Sequence, residues 1–194
     1  MTPHVVLVSG SLRSGSTSDR IAQWCADRCT ERSATARVFT GGELDFPFYR
    51  PGLSDSHGAI REFLGELDRA DGVVLISPTY HGTLSGLLKN ALDYTNDLGE
   101  PRPFLDGRTI GCVAVGAGTQ GAVSTLGTLR DIAHALRGWP TPLGVVVPHA
   151  GVLAPGDEVA EQHHREKLTE MVCQVLSSTL VRAGELPESV GAGT

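Results

Sequence analysis

The chain has 194 residues, 40% of them hydrophobic and 24 of them glycine, enough to bury a full core and close to the usual size of one α/β unit. Its formal net charge of −6, with no compensating basic stripe, argues against nucleic acid or an anionic membrane as the main partner. Met1-Thr-Pro-His4 runs straight into Val5-Val-Leu-Val8 without a charged leader, and no apolar run approaches membrane-spanning length, so a cytoplasmic location is expected.

In chain order, strand and helix signals alternate. His4 to Ser9 is predicted as the first strand, Gly10 to Gly15 as a loop, and Ser16 to Glu31 as a helix with Ile21, Trp24, Cys25 and Cys29 on its apolar face. Thr35 to Phe39 reads as a second strand. Leu44-Asp-Phe-Pro-Phe-Tyr-Arg-Pro-Gly52 is too rich in proline and aromatics for either regular element and reads as an exposed functional loop. A helix over His57 to Arg69 leads to the run Gly72 to Ile76, whose length and β-branched content suit a buried parallel strand ending at Ser77-Pro78. A helix is predicted from Gly86, with Leu84, Leu87, Leu88, Ala91 and Leu92 on one face and Lys89, Asn90 and Asp93 facing elsewhere. Asn96 to Gly107 reads as loop, Thr109 to Val115 as the fourth strand, and Gln120 to Arg137 as a helix. Leu143 to Val147 is the fifth strand and Glu158 to Ala183 a closing helix. Five strands with helical crossovers predict a doubly wound parallel sheet with helices on both faces; periodicity does not set the strand order. Nothing divides residues 1–186 into separate units, and residues 187–194 are expected to be a frayed tail.

Cys25, Cys29, Cys112 and Cys173 show no C-x-x-C spacing and read as small core residues rather than a disulfide framework or a zinc site. His163-His164 lies in a polar helical stretch. Adjacent residues on a helix point about 100° apart, so the pair reads as a solvated face and no metal site is expected.

Two loops carry chemistry. The segment Ser77-Pro-Thr-Tyr-His-Gly-Thr-Leu-Ser85 leaves a strand end and enters a helix, the place where open α/β sheets bind ligands. In Gly10-Ser-Leu-Arg-Ser-Gly-Ser-Thr-Ser18, hydroxyls at 11, 14, 16, 17 and 18 and the Arg13 guanidinium crowd a helix N-terminus, a natural seat for a phosphate. A serine-rich cap alone needs only one hydroxyl. The phosphate is not that of a P-loop, because Ser16 stands where the lysine belongs, nor a pyrophosphate, because Leu12 fills the second glycine of the dinucleotide fingerprint. A single terminal phosphate fits. No G-x-S-x-G elbow is present either.

Gly10-Ser-Leu-Arg-Ser-Gly-Ser16 followed by Ser77-Pro-Thr-Tyr-His-Gly-Thr-Leu-Ser-Gly-Leu-Leu-Lys-Asn-Ala-Leu-Asp93 resembles the NADPH-dependent FMN reductase family of flavodoxin-like proteins, which includes quinone, azo-dye and chromate reductases. The resemblance covers roughly the first 150 residues, with Gly116-Ala-Gly-Thr-Gln-Gly121 similar to the family's third flavin loop and Leu44 to Pro51 to its aromatic loop near the site mouth. It implies a flavodoxin-like sheet of order 2-1-3-4-5. It implies FMN held at its phosphate by Ser11, Arg13, Ser16, Thr17 and Ser18. Pro78, Thr79, Tyr80, His81 and Gly82 would hold the isoalloxazine on one side, with Gly116, Gly118, Thr119, Gln120 and Gly121 on the other. NADPH or NADH is the implied donor, a small molecule the acceptor, and a homodimer or homotetramer with flavin near the subunit interface the implied assembly. Here Ser18 replaces a usual asparagine, His81 the asparagine that commonly follows the tyrosine, and Thr79 a common acidic residue; the third loop lacks the usual double glycine.

Hydride transfer to flavin needs stacking geometry and a favourable local field rather than an acid/base triad, so Tyr80 and His81 are the only side-chain candidates for a catalytic part. The backbone N–H groups of the Tyr80 to Gly82 loop and the helix that follows are expected to supply that field. One crevice formed by the Tyr80 loop, the Gly116 loop and Phe46 to Tyr49 would expose a single flavin face and impose ping-pong kinetics. A flavodoxin-like electron carrier, or a redox-sensing flavoprotein that turns over slowly, remains open as an alternative.

Overall fold

The computed structural model describes residues 2–148 and 162–182. Its strands are β1 (His4–Ser9), β2 (Thr35–Phe39), β3 (Gly72–Pro78), β4 (Thr109–Gly116), β5 (Trp139–Pro140) and β6 (Val145–Pro148). The helices are α1 (Thr17–Thr30), α2 (Gly58–Arg69), α3 (Gly86–Asp93), α4 (Thr119–Ala135) and α5 (Gln162–Arg182), with short 3-10 turns at Leu53–Ser56 and Tyr94–Asp97. All strand pairings are parallel, in the order β2-β1-β3-β4-β5, with β6 also on β4.

The alternation of side chains along each strand divides one apolar run between two cores. Val6, Val8, Val73, Leu75, Ile110, Cys112 and Ala114 face the layer of α2, α3 and α4, where Phe63, Leu67, Leu88, Leu92 and Leu129 are buried. Val5, Leu7, Val74, Ile76, Val113 and Val115 face α1 and α5, where Ile21, Cys25, Met171 and Val175 are buried. A one-residue slip of any central strand would exchange the two sets, so the register is strongly specified.

The expected fifth strand is an edge strand in two pieces. β5 pairs with the beginning of β4 (Thr109↔Trp139) and β6 with its end (Val113↔Val145), with a break at 141–144. Trp139 and Thr141 donate their N–H groups to Arg108 and Ile110 (2.9 Å each), so the nitrogen of Pro140 points away from the ladder, where its missing hydrogen costs nothing. β3 continues two residues beyond the apolar run, to Pro78, for the same reason. Thr79 N–H still bonds to Val115 O at 2.7 Å, while the nitrogen of Pro78 faces the side where β1 has already ended. The outer residues of the closing helix, at 158–161 and 183, and the tail at 187–194 lie outside the described residues.

Cys25, Cys29 and Cys112 are buried and Cys173 half-buried, all four as free thiols. Desolvation pushes Cys29 up to about 11, with Arg32 opposing and Cys173 reinforcing, and Cys112 up to about 12, against the nearby Arg130. Of the two histidines expected on a solvated face, His163 is exposed but His164 is buried, because it lies one turn from buried Leu168 on the side of α5 that packs on the sheet. Among the described residues, no group of three or more His, Cys, Asp or Glu side chains could hold a metal, and no helix is long and apolar enough to cross a membrane.

Arg108, fully buried at the foot of β4, ties the sheet to α2. Its Nε donates to Leu67 O (2.8 Å) and its Nη2 to Asp68 O (2.9 Å), which satisfies carbonyls at the C-terminal end of the helix. Burial, reinforced by the charge of Arg102 and opposed by Asp68 and Asp106, pulls its pKa down to about 10.

Candidate functional site

The carboxyl ends of β1, β3 and β4 meet at the point where the chain reverses its winding direction, and their loops enclose a cavity of about 340 Å³. Ser11, Arg13, Ser16, Thr17 and Ser18 line one side, Pro78, Thr79 and Tyr80 a second, and Val115, Gly116 and Ala117 a third. The volume lies in the range of small-molecule pockets.

The first loop is pinned at both ends. Gly10 N–H bonds to Ile76 O (2.8 Å), and the loop lies so close to the turn after β2 that a Cβ on Gly41 would come within 1.9 Å of Ser11 O. Ser16 caps α1 in a reciprocal box. Its Oγ accepts from Asp19 N (3.1 Å), and the Asp19 carboxylate accepts from Ser16 N (3.2 Å) and from the Ser9 hydroxyl (2.5 Å). One hydroxyl of the cluster therefore serves the helix. The side chains of Ser11, Thr17 and Ser18 make no hydrogen bond within the described chain, and the Arg13 guanidinium has no ion-pair partner there. Three hydroxyls and one cation at the positive end of a 14-residue helix form a receptor for an anion.

The second loop is a tight turn. Tyr80 N–H bonds to Thr83 O (2.9 Å) and Thr83 N–H to Tyr80 O (3.1 Å) around His81 (φ 51°) and Gly82 (φ 83°), two successive left-handed residues as in a type I′ turn. Histidine and asparagine tolerate the left-handed region better than most side chains, which accounts for either one following the tyrosine. The Ser77 hydroxyl accepts from Ser85 N (3.0 Å), and Ser85 Oγ caps α3 through Leu88 N (3.2 Å), so the loop is braced at its base. Tyr80 stands 53% exposed at the mouth. Thr79 Oγ1 is buried without a hydrogen-bond partner, an orphaned donor in the cavity lining.

The turn changes the account of the backbone donors. Tyr80 N–H and Thr79 N–H are both spent inside the protein, so at the tip of the turn the N–H groups of His81 and Gly82 make no hydrogen bond among the described residues, as is also true of Leu84 further along the loop. Neither residue lines the cavity, and the His81 side chain is exposed beyond the turn. Gly118, Thr119 and Gln120 are exposed at the start of α4, outside the cavity lining. Gly121 is half-buried there, and a Cβ on it would lie 3.2 Å from the Thr79 methyl. The third loop thus touches the site with Val115 to Ala117 and braces it with Gly121. Ala117 lies within the Gly116–Gly121 segment read from the sequence, but Val115 was not singled out; its signal was the end of β4, whose last residues must face the crevice whatever their type.

Phe46 to Tyr49 does not line this cavity. Phe46 to Phe48, with Asp45, Leu12, Gly86, Leu87 and Asn90, line an adjacent cavity of about 430 Å³ instead, and Tyr49 lines neither. Ser11 and Arg13 face the first cavity and Leu12 between them faces the second, so the two are separated by the width of one strand of chain.

The family model for NADPH-dependent FMN reductases matches residues 3–152. The FMN-dependent NADPH-azoreductase of Staphylococcus haemolyticus is 27% identical over 148 residues, covering 74% of this chain and 72% of that protein; its Staphylococcus aureus counterpart is 26% identical over the same length. Among solved structures, the flavoenzyme NAD(P)H:(acceptor) oxidoreductase FerB from Paracoccus denitrificans superposes with a TM-score of 0.76 at 19% identity, covering 92% of this chain and 97% of that one. A Streptococcus pneumoniae flavodoxin superposes with a TM-score of 0.58 at 16% identity, over 91% of this chain and 98% of that one. At such identities the superpositions establish the fold.

Proposed function

Because the chain belongs to the NADPH-dependent FMN reductase family, we propose that its switch-point cavity holds FMN and that the enzyme passes electrons from NAD(P)H to a small acceptor in two successive half-reactions. The observation that carries this reading is the set of unpartnered donors in the cavity: Ser11, Thr17, Ser18 and Arg13 at the helix end, and the orphaned Thr79 hydroxyl beside them.

The residues fit the group. Ser11, Arg13, Thr17 and Ser18 would hold the phosphate, with Ser16 contributing through the cap that fixes their geometry. Pro78, Thr79 and Tyr80 would wall one side of the ring system and Val115 to Ala117 the other, and Thr79 Oγ1 would find in the ring's polar edge the partner it lacks. Bound FMN supplies two-electron chemistry that no side chain of this site has. The chain's own work is to orient, to exclude water and to direct the free N–H groups of His81 and Gly82 toward negative charge that develops beside the turn. Tyr80 lines the mouth, and His81 acts through its backbone.

The acceptor is a quinone, azo compound, flavin, metal oxyanion or similar small molecule. Exposed Tyr80 at the mouth, exposed Leu12 on the adjacent cavity and exposed Val123 on α4 support a homodimer or homotetramer with the site near the subunit contact. Free thiols and NAD(P)H chemistry both suit the cytoplasm.

Anaerobic NADPH without an acceptor should bleach the yellow protein within one turnover time, and varying NADPH against a quinone should give parallel double-reciprocal lines. Bleaching that takes minutes, or that needs a protein reductase, would support an electron carrier or sensor instead. Intersecting lines would mean both substrates bind together and would overturn the two half-reactions.

A further inference from the structure

We propose that Asn90, on α3 and outside the flavin cavity, is a specificity-determining positioning residue that fixes the aromatic wall for planar acceptors; the proposal rests on the flavoreductase reading above.

Asn90 was expected to face away from the packed side of α3. It is instead a three-point clamp. Its Nδ2 donates to Phe46 O (3.2 Å) and Pro47 O (2.9 Å), and its Oδ1 accepts from Tyr49 N (2.9 Å). These groups bracket Phe48 on both sides in the chain. Around them the loop is set in hydrophobic structure. Phe46 is buried against Phe63 and Tyr94 with ring centroids 5.6 Å apart in each case, and the Tyr94 hydroxyl donates to Pro47 O at 3.0 Å. Of the loop's three aromatic rings, only that of Phe48 is exposed, at 87%.

An open phenylalanine ring at the edge of a cavity offers a face on which a planar molecule can stack. Leu12, Phe46, Pro47, Phe48 and Leu87 line the cavity beside the phosphate loop, and one residue of chain separates it from the proposed flavin site. A planar aromatic molecule entering from that side meets an apolar wall whose position depends on the backbone at 46–49. Only an amide makes all three bonds at once. Aspartate in its place loses both donors and sets a carboxylate against two carbonyl oxygens; alanine loses everything. The helix that carries Asn90 begins at the flavin loop, so the clamp ties the acceptor wall and the flavin loop to one rigid element.

The test compares Asn90→Ala, Asn90→Asp and Phe48→Ala with wild type, using a naphthoquinone and ferricyanide as alternative acceptors. Ferricyanide takes electrons without stacking. The Asn90 variants should raise KM for the quinone about tenfold, the effect of one to two hydrogen bonds, while FMN affinity, anaerobic bleaching by NADPH and turnover with ferricyanide stay within twofold. Phe48→Ala should raise the quinone KM similarly, and Phe48→Ala with Asn90→Ala should add nothing further. Quinone KM unchanged in the Asn90 variants overturns the proposal, as does a parallel loss with ferricyanide. If the Asn90 variants fail to fold, an unchanged quinone KM in Phe48→Ala overturns it alone, since that exposed side chain is not needed for folding. A wild type that NADPH does not bleach overturns the flavoreductase reading itself and this proposal with it; bleaching that is normal while the KM values stay put overturns this proposal only.

Discussion

Replacing Arg13 by alanine isolates the phosphate assignment from the rest of the site. The guanidinium lines the cavity, is exposed, and makes no hydrogen bond or ion pair within the described chain, so its removal should leave thermal stability unchanged. What it removes is a charge-assisted bond to the ligand, worth on the order of 1.5–3 kcal/mol, nearer the lower figure because the group stays open to solvent. FMN affinity should fall about tenfold to a hundredfold. Titration of flavin fluorescence with both FMN and riboflavin, which lacks the phosphate, separates a phosphate contact from a general loss. Arg13→Ala should weaken FMN and leave riboflavin unchanged, and added salt should weaken FMN binding to wild type more than to the variant. Arg13→Lys should fall between the two, since an ammonium keeps the charge without the planar fork. A variant that holds FMN as tightly as wild type, or loses riboflavin by the same factor, would refute the phosphate contact.

Ser16→Ala should cost about 1 kcal/mol of stability through the lost cap, a fall in Tm of about 2–4 °C by calorimetry, whereas Ser18→Ala should leave Tm in place and weaken FMN. His81→Asn should leave the pH profiles of both half-reactions superimposed on wild type, because the side chain is exposed and outside the cavity; profiles that separate would give the imidazole a part. His81→Val should lower Tm, since a β-branched residue at φ 51° costs about 1–2 kcal/mol. At the other end of the sheet, burial raises the Glu66 carboxyl, but hydrogen bonds from His4 and Arg69 outweigh it and hold the pKa below the usual carboxylate range. A carboxylate lowered by folding contributes stability that is complete above its unfolded pKa, about 4.3, and is lost as pH falls through the lower folded value. Tm measured from about pH 6 down to about pH 3 should therefore fall less steeply for Glu66→Gln than for wild type, and equal slopes would refute it.

Much of the fold could be read from the chain because strands buried on both faces need continuous apolar runs. Val5 to Val8 and Val73 to Ile76 are recognisable before anything is known of their neighbours. The hydroxyl cluster at 11–18 was equally plain, since a cap needs one such group and five are present. Less legible were features that depend on what a residue meets. The division of Ser16 from Ser11, Thr17 and Ser18 follows from Asp19 lying under the cap and bonding Ser9 on the neighbouring strand. That proline fits in the edge strand at all follows from Pro140 finding its nitrogen on the open side of the ladder. Asn90 looked like a solvent-facing helix residue because α3 is amphipathic by pattern, and its partners lie 41 to 44 positions earlier in the chain.

By itself, then, the sequence determined the alternation of elements, the two buried faces of the sheet, the family and the polar character of the phosphate loop, all of which are local or periodic properties of the chain. Tertiary structure alone decided which donors remain unspent. Thr79 and Tyr80 lose their N–H groups to Val115 and Thr83, His81 and Gly82 keep theirs, and the aromatic loop turns to a second cavity beside the first. A hydrogen bond joins two groups, and whether a donor is free for a ligand is set by the partner that long-range packing brings to it.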